Sequence, residues 1–126
     1  MNRILLADPN PTLRSALALL LETRLDAQIV GQVSSMESLL CEASATQPDL
    51  IVVGMSLPGE PVEGRIAALR NKAPRASILM SSLRPESASL TEDTAAFLCH
   101  TDLPETILHT IQKHLAHHQN ERFSHV

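Results

Sequence analysis

The chain has 126 residues, of which 44% are hydrophobic and 19% charged, and a formal net charge of −4. That balance fits one globular domain and excludes both a disordered chain and a broad electrostatic grip on nucleic acid. The longest apolar run, Ala16 to Leu21, is too short to cross a bilayer. The first ten residues lack a signal-peptide core, so a cytoplasmic chain with no membrane partner is expected.

The first strand is expected over Arg3 to Ala7, followed by the polar, proline-rich loop "DPNP". From Pro11 to about Arg24, Leu13, Leu17, Leu20 and Leu21 fall at i, i+4, i+7 and i+8, the apolar face of a helix that Pro11 is suited to begin. A second strand is expected from Ala27 to Val33. Simple alternation puts Ile29, Gly31 and Val33 on one face and Gln28 and Gln32 on the other, an edge-strand pattern.

Ser34 and Glu37 have capping-box spacing ahead of a helix whose stripe is Met36, Leu39, Leu40 and Ala43. Leu50 to Val53 is continuously apolar, as a central strand covered on both faces requires, and it ends on Gly54. A loop with Pro58, Gly59 and Pro61 leads to a helix from about Val62 to Arg70, with Val62, Ile66 and Leu69 inward. A fourth strand is expected over Ala76 to Ser82 and a fifth over Ala95 to Cys99. Between them Pro85 and scattered serines predict a short or irregular helix. The last helix, "DLPETILHTIQKHLAHH", carries Leu108, Ile111 and Leu115 at i, i+3 and i+7. One domain is expected over residues 1–118, with 119–126 a polar tail or the start of a linker.

Strands alternating with helices of this length predict an α/β domain of the flavodoxin-like (βα)5 kind. Its parallel five-stranded sheet, in the order 2-1-3-4-5, lies between two helical layers. Ligands of such sheets sit at the carboxyl ends of the strands. The residues there are Asp8 and Pro9, Gly54 to Ser56, Ser81 and Ser82, and Cys99 to Thr101. Magnesium-dependent phosphoryl transfer needs several carboxylates around a hard cation. This rim offers one, Asp8.

The segments "RILLADPNPTLRSALALLLE", "PDLIVVGMSLPG", "ILMSS" and "FLCHTDLPETILHTI" together resemble, in order and over nearly the whole chain, the receiver domain of two-component response regulators. The likeness is to the CheY-like domains of the LuxR-type group. It implies a bacterial signalling or transcription-regulating role and places the family's site on Asp8, Pro9, Gly54, Ser81 and His100, with Phe97 at the switch aromatic position. Here the chain departs from its relatives. The second acidic residue is Pro9, the phosphoacceptor aspartate is Gly54, and the lysine is His100. Glycine supplies no nucleophile, and Ser56 lacks an adjacent base to activate its hydroxyl.

The expectation is therefore a degenerate, phosphorylation-independent receiver. It has no enzymatic activity, cofactor, metal or small-molecule substrate, and it acts on protein partners, including a second copy of itself. The resemblance places its contact surface on the fourth helix, fifth strand and last helix, with Phe97, Leu108, Ile111 and Leu115 as candidate contacts. Two alternatives stay open. Asp8, Ser81 and His100 form a ligand- or anion-responsive switch, or the chain is the receiver half of a DNA-binding regulator. His114, His117 and His118 have metal-ligand spacing but are expected to be solvated residues at a helix end. Cys41 and Cys99 match no metal or redox spacing and are expected as reduced packing residues.

Overall fold

The computed structural model describes residues 2–54, 57, 62–82, 96–99 and 104–113; for 62, 63, 65, 66, 82 and 96–99 the backbone alone is described. The elements run β1 (Arg3–Ala7), α1 (Pro11–Arg24), β2 (Gln28–Val33), α2 (Met36–Thr46), β3 (Leu50–Gly54), α3 (Val62–Lys72), β4 (Ser77–Ser82) and β5 (Ala96–Cys99). A further helix, α4, covers 104–113. The strands form one parallel sheet in the order β2-β1-β3-β4-β5. The expected irregular helix between β4 and β5 lies outside the described residues, as do Leu115, His114, His117, His118 and the 119–126 tail.

Side-chain alternation along the central strands separates two cores. Ile4, Leu6, Leu50, Val52 and Leu79 pack with Leu17, Ala18 and Leu21 of α1 and with Ile107, Leu108 and Ile111 of α4. Leu5, Ala7, Ile51, Val53, Ile78 and Met80 pack on the opposite face with Met36, Leu39 and Ala43 of α2 and Leu69 and Ala73 around the end of α3. A strand buried on both sides has no room for a polar face, which is why β3 reads as unbroken apolar residues.

Four expectations change. Ile29 and Val33 do not share a face. Ile4 pairs with Ile29 but Leu5 pairs with Gly31, so Val30 is an extra residue that reverses the alternation partway along β2. Ile29 therefore packs with the α1 core and Val33 with the α2 core. The cap of α2 is Ser35 rather than Ser34: its backbone is extended and its hydroxyl accepts from the Ser38 amide at 3.3 Å. Glu37 then falls in the first turn, near the positive end of the helix dipole. Cys41 is exposed, on the face of α2 turned away from Leu39 and Ala43. Leu108 and Ile111, expected as contact residues, are 8% and 0% exposed and belong to the α1-side core.

Candidate functional site

Asp8 follows directly on β1, Gly54 ends β3, and Ser81 stands opposite Gly54 in register on β4. By strand alternation all three continue the face of Ile4 and Leu6, Leu50 and Val52, and Leu79, the face that α1 covers. The sheet thus brings them together at its carboxyl rim. Asp8 and Ser81 are the two buried polar residues among those described, at 9% and 2% exposure. Pro9 is exposed. His100 and Ser56 lie outside the described residues, and Phe97 is placed only as a backbone position in β5, paired with Met80.

Asp8 is held from several directions. Its amide donates to Val33 O at 3.0 Å, tying the end of β1 to the end of β2. The Asn10 amide donates to Asp8 Oδ1 at 2.8 Å, a local turn that fixes the carboxylate. Arg14, on the first turns of α1, donates from Nη1 to the Asp8 carbonyl at 2.7 Å and from Nε to Gln32 Oε1 at 3.4 Å. Asn10 caps α1, accepting on its side chain from the Thr12 and Leu13 amides at 2.9 and 3.3 Å. Neither Arg14 nor Asn10 stood out in the sequence. Arg14 is six residues from Asp8, a spacing that becomes a contact only when the loop folds back over the helix start.

Gly54 is an ordinary strand residue, hydrogen-bonded in the β3–β4 ladder, so its conformation would accept any L-residue. The space over it would not. A Cβ at Gly54 would stand 2.7 Å from Asp8 Oδ2, and 3.3 Å from Asp8 Cγ and from Ala7 O. The Asp8 carboxylate occupies the volume into which a side chain on β3 would project. Just beyond, the Leu57 amide donates to Gly54 O at 3.1 Å and Leu57 enters the α2-side core.

The topology has counterparts among solved structures. The chain superposes on the signal receiver domain of NarL from Mycobacterium tuberculosis with a TM-score of 0.79 at 21% identity, covering 91% of this chain and 96% of that one. The chain has the receiver-domain fold. A LuxR-family two-component response regulator from Aurantimonas sp. SI85-9A1 gives a TM-score of 0.82 at 22% identity, over 92% of this chain and 86% of that one. A LuxR-family DNA-binding response regulator from Staphylococcus aureus gives 0.79 at 18%, over 91% and 99%. Protein-glutamate methylesterase/protein-glutamine glutaminase 3 of Myxococcus xanthus is 28% identical over 81 residues. That stretch is 64% of this chain but only 23% of that relative's length. No protein-family model matches the sequence.

Within the receiver fold, the rim positions bear one carboxylate, one buried hydroxyl and one glycine among the described residues. No group of three or more His, Cys, Asp or Glu side chains gathers there or elsewhere among the described residues. No described helix is long and apolar enough to cross a membrane.

Proposed function

We propose that this chain is a receiver-fold signalling domain that works through protein contact without an aspartyl phosphate, in bacterial signal transduction or transcriptional regulation. The observation that carries this reading is the Asp8 carboxylate over Gly54. Aspartyl phosphorylation needs a carboxylate nucleophile on β3 and a divalent cation to neutralise the incoming phosphoryl group. Glycine lacks the nucleophile, and Asp8 Oδ2 would stand 2.7 Å from a Cβ added at Gly54, so the carboxylate occupies the place where a side chain on β3 would begin. Incubation with acetyl phosphate and magnesium is expected to leave the intact mass unchanged. A stable gain of one phosphoryl group would overturn the reading.

The partner surface is assigned to the side of the sheet bearing β5 and α4. Since Leu108 and Ile111 are core residues, contact through α4 falls to its exposed residues Pro104, Glu105, Thr106, His109, Gln112 and Lys113. Reversing charge at Glu105 and Lys113 is expected to abolish capture of partners, or self-association, while leaving the circular dichroism spectrum intact. Undiminished capture would move the contact elsewhere. Direct nucleic-acid binding by this domain is not expected at a net charge of −4.

A second reading is that the chain serves as the receiver part of a longer regulator. It is favoured by the Myxococcus relative, of which the matched stretch is a minor part. It is tested by whether the native reading frame encodes an output domain.

A further inference from the structure

We infer that Asp8 is a wedge that fills the space over Gly54 at the rim, and that position 54 is held to glycine by this wedge. The inference deepens the reading of the rim as a site without phosphoryl chemistry and rests on it.

The anchoring of Asp8 makes it a wedge. A carboxylate at the far end of a flexible side chain yields to an intruding methyl group at small cost. Asp8 is short, is 9% exposed, and has Oδ1 held by the Asn10 amide at 2.8 Å. Its backbone is held at both ends, by Val33 O at 3.0 Å and by Arg14 Nη1 at 2.7 Å. To open space at Gly54 the carboxylate must rotate away, and in doing so it surrenders the Asn10 amide at the entrance to α1. Ala7 O, 3.3 Å from the same point, belongs to β1 and does not move independently of the sheet. One carboxylate therefore joins three elements: the end of β1 that carries it, the start of α1 through Asn10, and the end of β3 through steric contact with Gly54. Arg14 is a positioning residue in this arrangement, because it grips the Asp8 carbonyl from the first turns of α1.

Residues in contact couple in a double-mutant cycle, whereas independent sites add. The test uses Gly54→Ala, Asp8→Ala and the double variant in the full chain, followed by urea unfolding with far-UV circular dichroism. Gly54→Ala is expected to lower the midpoint in the wild-type background. In the Asp8→Ala background the same substitution is expected to lower it by less than roughly half as much, or to raise it. Equal shifts in the two backgrounds would overturn the inference.

If Gly54→Ala alone fails to fold, the inference requires the double variant to fold; an unfolded double variant overturns it. A second readout is the Asn10 amide by nuclear magnetic resonance. In folded Gly54→Ala its exchange with solvent is expected to accelerate by about tenfold or more, as loss of a hydrogen bond does, and an unchanged rate overturns the wedge. A phosphorylated wild type would sink the functional reading but leave this coupling untouched, so the two failures are distinguishable.

Discussion

Asn10 and Ser35 each cap a helix by accepting from backbone amides that have no partner inside the helix. Removing such an acceptor costs about 1 kcal/mol. Asn10→Ala is therefore expected to lower stability by about that amount, read as a shift in the urea midpoint at constant slope. At the other cap the comparison is between neighbours. Ser35→Ala costs about 1 kcal/mol, while Ser34→Ala stays within about 0.5 kcal/mol of wild type. A larger loss at Ser34 would restore the capping-box register. Gln47 ends α2 in a left-handed conformation, with φ 45°, and its side-chain amide donates to Ser44 O at 3.0 Å and to Lys72 O at 2.8 Å. A residue of middling propensity thus staples the ends of α2 and α3, and nothing in its sequence neighbourhood announces it.

At the scale of elements, α4 shows why an apolar stripe does not by itself distinguish core from interface. Leu108 and Ile111 are spaced as they would be for either role, and the choice depends on whether α1 and the sheet stand behind them. They do, so Ile111, fully buried, is a packing residue. Ile111→Ala is expected to cost about 2–5 kcal/mol, read by urea unfolding, and to weaken partner capture only in proportion to the unfolded fraction. A selective loss of capture at unchanged stability would return Ile111 to an interface. The edge strand makes the same point. Its residue types announce a strand, but the extra residue Val30 is a matter of pairing with β1 and reverses which side Ile29 and Val33 cover.

For the whole molecule, the two cores of described residues share one sheet, whose central strands contribute alternate residues to each. Loosening either face therefore loosens the strands that support the other. Leu21→Ala on the α1 side and Leu69→Ala on the α3 side are each expected to cost about 2–5 kcal/mol. In both variants a single cooperative transition should persist. The chain has no Trp and no Tyr, so far-UV circular dichroism is the natural probe. A biphasic curve in either variant would mean that the two faces unfold separately.

Periodicity and strand propensity are local, so residues 3–7, 11–24 and 50–54 could be assigned from neighbours along the chain. So could the rim on which Asp8, Gly54 and Ser81 meet, because a parallel sheet places successive strand ends side by side. That position 54 is a glycine, with no carboxylate, was equally plain in the amino-acid order. What the order left open depends on how the chain folds back on itself: the bulge in β2 and the burial of Leu108 and Ile111 depend on residues remote in sequence, and the grip of Arg14 on Asp8 on the loop between β1 and α1. Above all, only the tertiary structure shows that the space over Gly54 is filled. Asp8 and Gly54 are distant along the chain, and steric exclusion at 2.7 Å exists only once β1 and β3 are paired.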